Sequence, residues 1–76
     1  MTIWLIYTYM EIFRERLKEL KLEHKLNNVQ LAKKIGTTGT TISRWENGSR
    51  VPNIESLKKL AIAFDVSADY LLGLED

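Results

Sequence analysis

No cysteine occurs among the 76 residues. That removes disulfides and thiolate metal sites, and it suits a reducing compartment. The single histidine, His24, has no Asp or Glu at ligand spacing that singles itself out, so no metal site is expected. One proline and four glycines leave no room for a disordered linker. Long apolar runs are missing too. The most apolar segment, MTIWLIYTYM at residues 1–10, is far shorter than the roughly 20 residues a transmembrane helix needs. It lacks the basic start and small-residue cleavage site of a signal peptide. No nucleophile–base pair or glycine-rich phosphate loop is present. Those absences argue against an enzyme, a cofactor, a small-molecule substrate and a membrane.

What remains has the composition of a soluble globular protein, with 45% apolar and 28% charged residues. The length is that of one small domain. Such a chain buries only about 60–65% of its unfolded surface, so its core must be efficient. The net charge is only +1, but it is unevenly spread. Residues 1–27 carry +1, residues 28–50 carry +3 and residues 51–76 carry −3. A basic middle on a nearly neutral chain suits a polyanion on one face. The bland alternative is chance, given counts this small.

Helical spacing runs through most of the chain. Phe13, Leu17, Leu20 and His24 predict a helix over 11–25. Glu11, Glu15, Glu19 and Glu23, with Arg14 and Lys18, form i, i+4 rows on a solvated face. Asn27 is an N-cap for a second helix, Asn28 to Ile35, closed by Gly36. Leu31, Ala32 and Ile35 would face inward. Thr38 caps a third helix from Gly39 to about Glu46, and Asn47-Gly48 signals a turn. Pro52-Asn53 opens a fourth, with Ile54, Leu57, Leu60, Ala61 and Phe64 as its inner stripe. Ser67 caps a short fifth holding Tyr70, Leu71 and Leu72, closed by Gly73.

One stretch asks a sharper question. TTGTTISRWENGSRVP, Thr37 to Pro52, begins a helix with residues that are mediocre or poor helix formers. Ala32, Gly36 and Ile42 fit a tight helix-turn-helix. Ala32 lets the helices approach, Gly36 can take positive φ, and Ile42 fills the angle between them. At about 100° per residue from Gly39, Ser43, Thr40 and Arg44 fall at about 40°, 100° and 140°. Ile42 and Trp45 fall at about 300° and 240° on the apolar side. The opposite side presents only Gly, Thr, Ser and Arg. That face can enter a groove closely. Hydroxyls can meet base edges or phosphate, and Arg can bond guanine O6 and N7. The free N–H groups at the helix start favour phosphate. An ordinary threonine-capped helix start accounts for the same residues without DNA.

LNNVQLAKKIGTTGTTISRWENGSRVPNIESLKKLAIAFDVSADYLLG, Leu26 to Gly73, resembles the Cro/CI-type (XRE-type) helix-turn-helix family of phage repressors and bacterial regulators. The likeness extends back through Phe13-Arg-Glu-Arg-Leu-Lys-Glu-Leu. Ile-Ser-Arg-Trp-Glu-Asn-Gly before Pro52, then Ser-Ala-Asp-Tyr-Leu-Leu-Gly, is a highly specific combination. The resemblance implies an all-α, five-helix, lambda-repressor-like DNA-binding domain whose third helix reads the major groove. Members usually bind as homodimers to two-fold symmetric operators, with half-sites about one helical turn apart.

Residue by residue, the resemblance assigns base reading to Thr40, Ser43 and Arg44. It assigns backbone contacts to Asn28, Thr38, Thr41, Asn47 and Arg50. Gly39 departs from relatives that carry a long polar reader such as Gln there. Asn28 departs from the usual, longer Gln. The resemblance also pairs Glu46 with Lys21 as a structural ion pair. The helical angle of Trp45 makes it core. Tyr70, Leu71 and Leu72 are expected in the core or at a dimer contact.

Residues 1–10 lie outside the resemblance and form an apolar arm before the domain at 11–76. Their β-branched and aromatic residues favour a strand, although a helix extension fits as well. Three roles stay open: a dimer arm, a cover over the C-terminal helices, or a stretch ahead of a true start at Met10.

The expectation is therefore a sequence-specific, repressor-type regulator of cytoplasmic, bacterial or phage origin. Its partners would be double-stranded DNA and a second copy of itself. The rival is a protein-interaction module or antitoxin-type partner that keeps the fold without strong specific DNA binding of its own.

Overall fold

The computed structural model describes the backbone of residues 2–75 and the side chains of residues 11–75. Among these residues five helices follow one another: α1 (Thr2–Glu23), α2 (Asn28–Ile35), α3 (Gly39–Asn47), α4 (Ile54–Phe64) and α5 (Ala68–Leu72). No strand occurs among the described residues.

The predicted caps hold their helices. Asn27 closes a capping box with Gln30: its Oδ1 accepts from the Gln30 N–H at 2.8 Å, and Gln30 Oε1 accepts from the Asn27 N–H at 2.9 Å. Thr38, Asn53 and Ser67 each accept from the N–H three residues on. Gly36 ends α2 in the left-handed region at φ +77°, which lets the chain turn directly into α3.

The first helix differs from expectation at both ends. It stops at Glu23, and Lys25 takes φ +56°. At its start the helix runs back to Thr2, so the segment that favours a strand by composition is helical. Propensity differences of a few tenths of a kcal/mol per residue are small. Extending a formed helix also avoids the cost of nucleation. How the side chains of residues 1–10 pack lies outside the described residues.

Among the described residues, a core of twelve joins all five helices, from Phe13, Leu17 and Leu20 on α1 to Leu71 on α5. α3 lies against α1 and α2, α4 against α2 and α5, and α5 against α1. Leu31, Ala32, Ile35, Leu60, Ala61 and Phe64 face inward as their spacing predicts. Two positions of the predicted stripes do not. His24 is exposed, its ring meeting that of Phe64 edge-to-face at 5.2 Å between centroids. Ile54 is 86% exposed, because it is the first residue of α4 and overhangs the core. Tyr70 and Leu72 are half-buried beside the fully buried Leu71. The Arg16 guanidinium lies 4.2 Å over the Tyr70 ring and donates to the Tyr70 and Glu75 carbonyls.

Candidate nucleic-acid interface

The packing of α3 determines which of its side chains remain free. Ile42 is 0% exposed and Trp45 is 4% exposed. With those two in the core, Thr40, Ser43 and Arg44 stand on the outer side, and all three are exposed. The outer surface of α3 thus carries two short hydroxyl residues and one guanidinium, without a bulky apolar group.

Both ends of α3 add polar groups. At its start the Thr38 hydroxyl accepts from the Thr41 N–H at 3.2 Å and lies 2.9 Å from the Thr41 hydroxyl. Thr38 is exposed and Thr41 half-buried. At its end the Ser49 N–H donates to Asn47 Oδ1 at 2.9 Å, and the Arg50 N–H donates to the Arg44 carbonyl at 3.2 Å. These bonds fold the chain after Gly48 back onto α3. Asn47 and Arg50 are exposed there.

Asn28 behaves differently from the other seven candidates. It is half-buried. Its Nδ2 donates to Glu46 Oε1 at 2.9 Å, and its Oδ1 accepts from Lys21 Nζ. Lys21 and Glu46 form the expected ion pair at 2.7 Å, with side chains 16% and 15% exposed. Glu46 is therefore spent on structure. Hydrogen bonds that involve a charged partner are stronger than neutral ones, so this cluster ties α1, α2 and α3 together.

Arg14, expected on a solvated face, is instead half-buried and donates through Nε to the Glu46 carbonyl at 2.7 Å. A signal was available: Arg14 precedes Lys21 by seven residues, two helical turns, and so shares its face. Among the described residues no group of three or more His, Asp or Glu could hold a metal ion. No described helix is long and apolar enough to cross a membrane.

A family model described as helix-turn-helix matches residues 17–71, from one fully buried leucine to another. An uncharacterised helix-turn-helix transcriptional regulator of Bacillus subtilis, YobD, is 42% identical over 65 residues, 86% of this chain and 58% of its own length. Repressor protein C2 of Salmonella phage P22 is 34% identical over 62 residues, 82% of this chain and 29% of its own. The chain thus spans about 58% and 29% of those two relatives. The crystal structure of the P22 c2 repressor with a synthetic operator superposes with a TM-score of 0.78 at 33% identity, covering 83% of this chain and 96% of that one. A transcriptional regulator from Listeria innocua superposes at 0.76 with 38% identity, covering 84% and 60%. The chain belongs to the Cro/CI-type helix-turn-helix family of phage repressors and bacterial transcriptional regulators.

Proposed function

We propose that this protein is a sequence-specific DNA-binding regulator of transcription, acting as a repressor. It binds a two-fold symmetric operator as a homodimer and places α3 in the major groove. The observation that carries this is the division of α3: Ile42 and Trp45 are buried while Thr40, Ser43 and Arg44 are exposed together. Small residues let the helix backbone approach the base edges. Arg44 is long enough to reach guanine O6 and N7 in the bidentate manner, and the hydroxyls of Thr40 and Ser43 bond nearby edges.

The groups at the two ends of α3 set register on the phosphates. Thr38 and Thr41 serve one end and Asn47 and Arg50 the other. Such contacts orient the protein and carry salt dependence but no direct sequence information. The operator complex formed by the P22 c2 repressor supports this reading through fold and sequence together. Gly39 supplies no reader, so the operator is expected to differ from those of relatives with a long side chain there. The site of action is the bacterial cytoplasm.

Titrating duplex DNA at rising salt tests the proposal. Binding through several phosphates predicts a loss of roughly 10³-fold or more in affinity between about 50 and 200 mM salt. Affinity that is absent at low salt, or unchanged across that range, would reject DNA as the partner.

A further inference from the structure

We infer that Asn28 is a positioning residue for α3, acting through Lys21 and Glu46 rather than by side-chain contact with phosphate. The inference rests on the proposed DNA reading by α3. Asn28 lies beside the first residue of α3 and bonds to a residue of its last turn. A Cβ added to Gly39 would lie 3.8 Å from the Asn28 Cβ, an ordinary contact distance. Seven residues on, Glu46 Oε1 accepts from Asn28 Nδ2 at 2.9 Å. Residues seven apart on a helix share a face. The bond to Glu46 fixes the last turn of α3 against the start of α2 and, through Lys21, against α1.

The carboxamide suits this task by its polarity. Its oxygen faces the Lys21 ammonium and its amide nitrogen faces the Glu46 carboxylate. The opposite orientation would set oxygen against oxygen and donor against donor. The second carboxylate oxygen, Oε2, takes Lys21 Nζ at 2.7 Å. Each oxygen of Glu46 therefore has its own donor. Turning Asn28 outward to a phosphate would take the donor from Glu46 Oε1, beside a carboxylate that is already mostly shielded from water.

The test compares Asn28→Ala and Asn28→Asp with the wild type, first without DNA. Asn28→Ala should lower Tm by about 5–10 °C. The loss should shrink in a Glu46→Gln background, where the charged acceptor is gone. Asn28→Asp keeps the acceptor for Lys21 but sets a carboxylate against Glu46. It should be less stable near neutral pH and regain stability on acidification, as the new carboxyl takes up a proton and becomes a donor again. This variant serves if Asn28→Ala fails to fold.

Operator affinity is then measured well below each Tm. A positioning role predicts a loss of about tenfold or more in specific affinity, with affinity for random-sequence duplex unchanged. The loss should persist when operator phosphates are replaced one at a time by methylphosphonates. An unchanged Tm, with an affinity loss that vanishes at one neutralised phosphate, would overturn the inference and restore a direct contact. A lowered Tm with unchanged specific affinity would reduce Asn28 to a purely structural residue and overturn it as well. A wild type that binds no duplex would overturn the DNA reading itself, whatever the Tm values show.

Discussion

Arg14 of α1 donates through Nε to the main-chain carbonyl of Glu46 at 2.7 Å, while Lys21, two turns along the same helix, holds the carboxylate of that residue. α1 thus grips one residue of α3 at both its backbone and its side chain. The bonded carbonyl belongs to the last turn of α3, where oxygens have no partner within the helix. A cation there also complements the helix dipole. Arg14→Ala should cost about 1–2 kcal/mol in chemical denaturation. Amide exchange should quicken first around Asn47 and Gly48. Uniform acceleration along α3 would mean that Arg14 supports the helix as a whole and not its end.

Trp45→Ala should destabilise the domain by about 3–5 kcal/mol, because the indole is 4% exposed within the core. In so small a domain that can abolish the cooperative unfolding transition altogether. Retained stability with lost DNA binding would instead make Trp45 a contact surface.

Two glycines should respond in opposite ways. A Cβ on Gly73 would lie 2.8 Å from Ile12 Cγ2, and φ there is +78°. Gly73→Ala should therefore cost about 1–2 kcal/mol or more, through the left-handed backbone and the clash with α1. A Cβ on Gly39 would meet its nearest neighbour at 3.7 Å, an ordinary contact. Gly39→Ala should leave Tm unchanged or slightly raised. Equal losses at both sites would show that close approach of α2 and α3 at Gly39 matters more than the contact distances imply.

Arg44→Ala should cost about 1–3 kcal/mol in operator affinity and relax preference at one base position. The measurement is competition between duplexes that differ at single positions. A uniform loss across all of them would reassign Arg44 to the phosphate backbone.

The helices were legible wherever local chemistry determined them. Asn27, Thr38, Asn53 and Ser67 cap by bonding to amides three residues away, a pattern contained within a few positions of sequence. The inward face of α3 followed from helical angle alone, since Ile42 and Trp45 share a side. Ile54 shows the limit of that method. Periodicity gives a direction but not how far the opposing element extends, and at Ile54 nothing covers the side chain. The Lys21–Glu46 pair was legible only through family resemblance. The face of Arg14 was legible from its two-turn spacing to Lys21, but its carbonyl partner and the inward turn of Asn28 were not, because each depends on a partner 32 or 18 residues away. The strand preference of residues 2–10 lost to a continuous helix because composition does not record what a segment adjoins.

The outer face of α3 is proposed to read a particular DNA sequence. Selection from a randomised duplex pool at about 150 mM salt, followed by sequencing of the enriched DNA, tests it most directly. A symmetric consensus with half-sites about one helical turn apart is expected, with loss of one preferred base in each half-site when the selection is repeated with Arg44→Ala. Failure to enrich any sequence would contradict it and move this chain from DNA recognition to protein interaction.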